Sequence, residues 1–481
     1  MDTPVEQSGS ELRATRLPLT LALLLAGAAL AVWLWSAYCT FPSIVWNDVR
    51  LAPTIALAQG WPIYPTGTQG TINTWTYGPL PSLYYLPASL ATSAGGALTI
   101  AGLLNLALTL VPLALVCFAW PVGEGAGDTR LARTAAFLLC VALWPPRHYE
   151  VIFADNLAIA CGLAGNLLLV RARGPRGLWV AALAACAAVG CKQIAVGIPL
   201  AQVLWIGFKS GWPAGGRHAL RCAVIGALLV VVVAVGFGGA GLWYTMMELP
   251  GKRPWEIALV RLAPMAPEAA WQIGVPIAAL IIGRRTLLHS TLLLPALAWA
   301  GTLPFGLMAL LKSGGWFNSV HSMALWLPPI VTVALTTSHP GRHFRWLPLG
   351  TMVAVALIAC GRVLQAPRVL LRPALVSYAE AEQLAAQFHG RIWFPFHPLV
   401  TLYSEQRYYH DEDGLYVRKL SQQGVGAEQV AAHLPPAMQV LALHNRWSDW
   451  GVARSLLPPD ARPVVIGNWT LWLPTEPLPR R

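Results

Sequence analysis

Trp46-Asn47-Asp48-Val49-Arg50 follows the apolar run Leu17 to Tyr38 and leads through Gly60-Trp61-Pro62-Ile63-Tyr64 to Tyr77-Gly78-Pro79-Leu80. The apolar run is long enough to span a bilayer as a helix. Asp48 therefore falls just beyond a span, where a carboxylate is costly unless it is solvated or used. It is either a catalytic carboxylate or a helix cap, because Asn47-Asp48 before an apolar run is a good helix start. Leu51, Ile55 and Ala58 share one face, which predicts a short interfacial helix from about Val49 to Gln59, stopped by Gly60 and Pro62. Trp61, Tyr64, Trp75, Tyr77, Tyr84 and Tyr85 belong at headgroup depth, where a ring has one apolar and one wet edge.

The rest of the chain agrees with a membrane setting. Of 481 residues, 56% are hydrophobic and only 11% charged, which excludes a water-soluble globular protein. The net charge of +12 lies in short basic clusters between apolar segments, a pattern of membrane topology and not of nucleic-acid binding. Further apolar runs occur near 97–120, 131–146, 153–170, 219–241, 269–283, 288–310, 320–337 and 346–365, and two shorter ones, 177–190 and 193–208, flank Cys191-Lys192-Gln193. These predict an α-helical polytopic membrane protein of about eleven transmembrane helices. With both short runs crossing and the N-terminus cytoplasmic, the basic clusters at Arg171, Arg173 and Arg176, at Lys209, Arg217 and Arg221, at Arg284 and Arg285, and at Arg342 and Arg345 all fall on one side.

That arrangement makes 1–16 a cytoplasmic tail, 17–365 the transmembrane module and 366–481 a soluble extracytoplasmic domain. In the last part charges of both signs return. Ser377 to Phe388 reads as a helix ended by Gly390, Arg391 to Leu399 and Met438 to Leu443 as strands, and Pro463 to Ile466 with Thr470 to Leu473 as a hairpin around Gly467-Asn468. A small α/β unit is expected. The eight cysteines lie nearly all within apolar runs and form no disulfide framework or zinc spacing. The bulk of Tyr38 before Cys39 makes the first span an uncleaved anchor.

The same topology gathers Asp48, His148-Tyr149-Glu150, Asp155-Asn156, Lys192-Gln193, Glu248, Lys252-Arg253, Lys312, Asn318 and His321 on one membrane face. Such convergence is what a site at the bilayer surface requires. Lys192 sits between two runs too short to cross fully, where an unpaired cation costs roughly 2.5 to 3.5 kcal/mol. A phosphate partner would offset that cost; snorkelling to the headgroups is the other reading. Lys312-Ser313-Gly314-Gly315-Trp316-Phe317-Asn318-Ser319-Val320-His321 offers backbone amides that an anion can approach, one charge and two neutral hydrogen-bonding groups. It also reads as a glycine turn with interfacial aromatics, and it lacks the Gly-Lys-Ser/Thr ending of a nucleotide-binding loop. Asp155 either caps the run it precedes or serves the site, with Glu150 as the fallback carboxylate; Arg253 meets either a carrier phosphate or lipid headgroups.

Trp46-Asn47-Asp48, Ala58-Gln59-Gly60-Trp61-Pro62-Ile63-Tyr64 and Tyr77-Gly78-Pro79-Leu80 together resemble the first external loop of bacterial GT-C glycosyltransferases, relatives of protein mannosyltransferases and lipid A aminoarabinose transferases. The resemblance covers roughly 17–365 and implies a GT-C-like fold. It also implies an enzyme that takes sugar from a polyprenyl-phosphate carrier, with an acidic residue of this loop at the reaction centre. Many relatives have two consecutive acidic residues here, where this chain has Asp48 followed by Val49. A second acid at the next external turn, Asp155 or Glu150, is expected to hold a metal or orient the acceptor. The Lys192-Gln193 pair and the Lys312, Gly-Gly, Asn318 run also have counterparts among the relatives.

These observations lead to an inverting polyprenyl-phosphate-sugar-dependent glycosyltransferase in the bacterial inner membrane. Asp48, Asp155 and Glu150 are its candidate catalytic carboxylates, and Lys192, Lys312, Arg253, Asn318 and His321 the donor-phosphate ligands. Its partners would be the lipid-linked sugar donor, an envelope glycan, lipid or protein as acceptor, and membrane lipids, with no nucleic acid. No cofactor is implied beyond a divalent metal, and a lone Asp48 argues against a tight metal site, since hard cations favour several oxygen ligands. The alternatives are a transporter or flippase of lipid-linked glycans and a non-catalytic envelope assembly protein. A transporter would place its ionisable residues at the midplane between repeated halves.

Overall fold

The computed structural model describes residues 4–65, 70–122, 129–256, 291–337, 347–365, 371–446 and 452–473, with only scattered positions in 257–290. Apolar helices make up most of it: α1 (Pro4–Thr40), α4 (Ala94–Ala119), α5 (Arg130–Leu143), α7 (Ala154–Val170), α8 (Pro175–Cys191), α9 (Gly197–Ser210), α10 (Trp212–Phe237), α13 (Leu293–Leu310), α14 (Leu327–Thr337) and α15 (Leu347–Gln365). Among the described residues five helical stretches are long and apolar enough to cross a membrane, and Ala154–Val170, Pro175–Cys191 and Leu349–Leu364 are apolar but shorter. The molecule is a polytopic membrane protein. The expected run 269–283 and the basic pairs Arg284–Arg285 and Arg342–Arg345 lie outside the described residues. Side chains such as Val230, Val232 and Val235 of α10 are exposed, as a lipid-facing surface requires.

Short elements close one end of the bundle: α2 (Val45–Ala58), α3 (Pro79–Tyr84), α6 (Arg147–Glu150), α11 (Gly239–Trp243) and α12 (Leu249–Gly251). α2 begins four residues earlier than its apolar pattern predicts and stops where Gly60 turns with φ +86°. Its first turn is built on Asn47. The Asn47 amide donates to Phe41 O at 2.8 Å and Glu150 O at 2.7 Å and accepts from Ile152 N at 2.8 Å, which fastens the turn at 150–152 to the start of α2.

The chain reverses at Lys192. Gly162 lies against Ile198 and Gly165 against Gln202, so α9 runs alongside α7 in the same direction. Gly165 also meets the carbonyl of Ala181 while Cys161 sits beside Cys191, so α8 runs the opposite way. The reversal is seated on the loop between α2 and α3, where Gly78 N donates to Cys191 O at 3.3 Å.

After α15 come α16 (Leu371–Gln387), β1 (Ile392–Trp393), α17 (Pro398–Ser404), α18 (Glu412–Leu420), α19 (Ala427–Ala432), β2 (Val440–His444), β3 (Arg462–Ile466) and β4 (Trp469–Leu473). The strands form one sheet in the order β1-β2-β4-β3, parallel between β1 and β2 and antiparallel elsewhere, with the β3–β4 turn at Gly467. The predicted strand over 391–399 shrinks to two residues because Pro395 and Pro398 remove ladder donors and α17 begins there. This unit does not have a core to itself. Phe41, Leu51, Ile55 and Leu98 pack in one buried cluster with Tyr378, Leu384, Leu399, Val440 and Trp469, so α2 is packed against the C-terminal unit.

A Cβ built at Gly78 would stand 1.7 Å from the carbonyl oxygen of Gly190. Gly78→Ala therefore forces two backbones apart, at about 1 to 3 kcal/mol for overpacking. A thermal melt of purified protein is expected to show a lower Tm for this variant, and an unchanged Tm would refute the seating of the loop on the Lys192 turn.

Candidate active site at the end of the helix bundle

Asp155 and Lys192 form the centre. Asp155 is in the first turn of α7, following Phe153 at the N-cap, so the helix terminus favours its charge while its side chain caps nothing. Lys192 follows α8, where the helix breaks into the 3-10 segment Gln193–Val196. Its ammonium lies 2.5 Å from Asp155 Oδ1, and both side chains are at least nine-tenths buried. Asn318, from the 3-10 segment Phe317–Leu325, donates to Asp155 Oδ2 at 2.8 Å. The Lys192 cation therefore neither snorkels nor lies unpaired. Its ammonium is also 5.7 Å from the ring centre of Tyr77.

Two buried histidines adjoin this pair. His321 meets His148 ring nitrogen to ring nitrogen, and the Asn156 amide donates to His148 O at 3.1 Å. The carbonyls of His148 and Tyr149 also accept from the Asn105 amide, at 2.8 and 3.0 Å. Phe153 bridges from there to Arg50: its ring centre lies 6.0 Å from that of His148 and 4.9 Å from the Arg50 guanidinium. Arg50 donates to Ile152 O at 2.8 Å and covers Trp46 at 5.0 Å. Asp155, Lys192, Asn318 and His321, four residues predicted from three separate stretches, thus come together.

Asp48 faces elsewhere. Two residues from Arg50, it projects about 200° around α2, away from Arg50 and into the soluble unit. It lies inside the first turn behind Ile44 at the N-cap, so the capping reading does not hold. Its carboxyl is fully buried, accepts from Leu399 N at 3.0 Å and has the Tyr378 hydroxyl beside it. Burial pushes its pKa up to about 8, with the Leu399 and Tyr378 hydrogen bonds pulling the other way. Glu150 is paired instead with Arg147 at 3.5 Å at the surface.

Lys312 and Arg253 form a second group with the loop after the π-helical turn Tyr244–Glu248. Lys312 donates to Pro250 O at 3.0 Å and Gly251 O at 3.3 Å, and its ammonium is 5.6 Å from the Trp255 ring centre. Gly314 turns with φ +76° next to Arg253, whose buried Nε has no hydrogen-bond partner among the described residues. The two glycines thus shape a turn that presents Arg253.

The sequence reading passed over His410-Asp411-Glu412-Asp413-Gly414. Asp411 caps α18 by accepting from Gly414 N at 2.5 Å and also accepts from Thr74 N at 3.0 Å. Glu412 accepts from Val452 N and Ala453 N, and Asp413 from the Thr74 hydroxyl. His410 Nδ1 accepts from Ile72 N at 2.8 Å, so 72–74 of the loop after α2 are clasped by the C-terminal unit. Burial raises Asp413 to about 6 against the opposing pull of Arg50 and Arg253. Three consecutive carboxylates in a chain with only 21 acidic residues were the available signal.

No three-fold or larger group of His, Cys, Asp and Glu suited to a metal occurs among the described residues. At Asp155 an ammonium and an amide already meet the two oxygens, a donor set that does not fit a divalent cation.

The backbone has counterparts among solved structures. The crystal structure of ArnT from Cupriavidus metallidurans bound to undecaprenyl phosphate matches with a TM-score of 0.57 at 12% sequence identity, over 94% of this chain and 98% of that one. The apo structure of the same protein matches with a TM-score of 0.53 at 12% identity, over 94% and 97%. This chain has their fold. No family model and no curated protein sequence matches it.

Asp48→Asn tests the buried position. A carboxyl raised from the usual 3.8 to about 8 makes the folded protein lose stability as pH rises through that window, because the unfolded chain releases the proton first. Melts between pH 4 and 8 are expected to show the variant gaining on the wild type with rising pH, the gap closing at the acid end. Parallel curves would place Asp48 in solvent.

Proposed function

We propose that the protein moves a sugar from a polyprenyl-phosphate carrier to the hydroxyl of an envelope acceptor, on the extracytoplasmic face of the bacterial inner membrane. The observation that carries this is the gathering of Lys192 with Asp155 and Asn318 at the end of the bundle closed by short helices. Cations near a carboxylate at the edge of an apolar bundle suit a substrate whose tail is lipid and whose head is a phosphate ester. The likeness in fold to an ArnT structure bound to undecaprenyl phosphate supports the same class of carrier. The N-terminus would then be cytoplasmic, and 366–481 would lie outside as the soluble part of the same machine.

Transfer with inversion needs a base for the acceptor proton and positive charge for the departing phosphate. Arg50 and Arg253 supply charge with planar hydrogen-bonding geometry. Lys192, fixed by Asp155 and Asn318, keeps a positive centre beside Tyr77, with His321 and His148 behind it. Lys312, held by two carbonyls, positions the loop that carries Arg253. Asp48, largely protonated at pH 7 when its pKa is about 8, is better suited to fastening α2 to α17 than to accepting a proton.

Incubation of purified protein in lipid nanodiscs with a panel of polyprenyl-phosphate sugars and mixed envelope acceptors tests this reading. Release of polyprenyl phosphate with transfer of sugar is expected for at least one donor. Arg253→Gln is expected to raise the donor KM about tenfold or more with little change in Tm, since the loss of a charged hydrogen bond costs about 1.5 to 3 kcal/mol. Binding of lipid-linked glycan with transport and no transfer would favour the flippase alternative.

A further inference from the structure

We infer that the groove between the start of α4 and α16 holds one membrane phospholipid with an ammonium-bearing headgroup, lodged as a wedge between the helix bundle and the C-terminal unit. The site is separate from the Asp155–Lys192 centre and stands whether or not the protein transfers sugar. The groove has a volume of about 550 Å³. Its walls follow from the local sequence. Leu375, Tyr378, Ala379 and Glu382 recur at the spacing of one helical face on α16, while Gly95 and Gly96 leave the facing turn of α4 without side chains. A Cβ built at Gly95 would stand 3.0 Å from Leu375 Cδ2 and 3.6 Å from Tyr378 Cβ, so the two helices touch there, and the groove lies beside that contact.

Two observations identify the occupant. α4 is long and apolar enough to span a membrane, and its exposed side chains Leu103, Ala107, Val111, Leu115 and Phe118 recur every three or four residues. Gly96, Thr99 and Ile100 of the groove continue that stripe to the start of the helix. An exposed apolar stripe on a spanning helix faces acyl chains, so the groove is the end of a lipid-facing surface. Its other end is polar: Thr92 is exposed, Ser93 accepts from Gly96 N at 3.1 Å, and Glu382 accepts from Ala94 N at 2.9 Å. Among the described lining residues Glu382 carries the one charge and none is Lys or Arg. An anionic headgroup would meet a like charge there, whereas an ammonium gains a charge-assisted hydrogen bond, and the Thr92 hydroxyl is left for a phosphate oxygen. The groove also backs onto the contacts that hold the C-terminal unit. The hydroxyl of Tyr378 lies beside Asp48 of α2, and Glu380 accepts from Asn468 N at 3.1 Å in the β3–β4 turn. A lipid lodged against α16 steadies both.

The test titrates dioleoylphosphatidylethanolamine or dioleoylphosphatidylglycerol into the detergent-solubilised full chain, reading bound lipid by native mass spectrometry and Tm by a melt. The wild type is expected to bind one phosphatidylethanolamine about tenfold more tightly than phosphatidylglycerol, the size of one hydrogen bond to a charged group. Saturation with it is expected to raise Tm by several degrees. Glu382→Gln keeps an oxygen for Ala94 N and drops the charge. This variant is expected to bind the two lipids within about twofold of each other, with its lipid-free Tm unchanged. Ala379→Trp fills the groove from an exposed position on α16 and is expected to abolish the tight binding. Equal affinity of the wild type for the two lipids overturns the inference without any variant having to fold. A preference that survives Glu382→Gln, or tight binding that survives Ala379→Trp, overturns it as well.

Discussion

The buried ion pair between Asp155 and Lys192 is the constraint on which the rest depends. Two charges withdrawn from water cost several kcal/mol each, and removing one partner of such a pair costs about 3 to 5 kcal/mol. The fold meets that demand by directing several segments at one point. α7 supplies Asp155 from its first turn, the break after α8 supplies Lys192, and the 3-10 segment before α14 supplies Asn318. The break is a necessity here: an uninterrupted helix through residue 192 would leave no reversal at which the lysine reaches the end of α7.

From that pair outward, each layer is fastened to the next by hydrogen bonds between distant parts of the chain. Asn47 ties the first external turn to the second, Gly78 rests on the Lys192 reversal, and Asp411 with His410 clasps the loop in between. The soluble unit shares its hydrophobic core with α2 and donates an amide to Asp48. It is thus a wall of the site. This explains how an acid more than 200 residues downstream of Lys192 stands near residues 72–74 of the loop after α2.

Legibility in the sequence followed the range of the physics involved. Apolar run length marked most helices, because a membrane span is a local property of about twenty residues. The hairpin at Gly467-Asn468 was legible from turn chemistry, and the gathering of Asp155, Lys192, Asn318 and His321 from the shared oddity of polar groups beside apolar runs. The direction of Asp48 was not legible, since its carboxyl is enclosed by Leu399 and Tyr378, which lie more than 300 residues away. The expected partner of Lys192 was a phosphate, and an acid within the protein fills that place. Asp413 escaped notice because an acidic run in a soluble segment reads as solvated surface, and only the packing of α18 on Asn73 and Thr74 buries it.

The central claim is that a carrier phosphate binds on the face of α2 that carries Trp46 and Arg50, beside the Asp155–Lys192 pair. An experimental structure with polyprenyl phosphate bound tests it most directly. The account predicts the phosphate within hydrogen-bonding reach of the Arg50 or Arg253 guanidinium. A phosphate lodged against Asp48, with α17 and Tyr378 moved aside to admit it, would contradict the account.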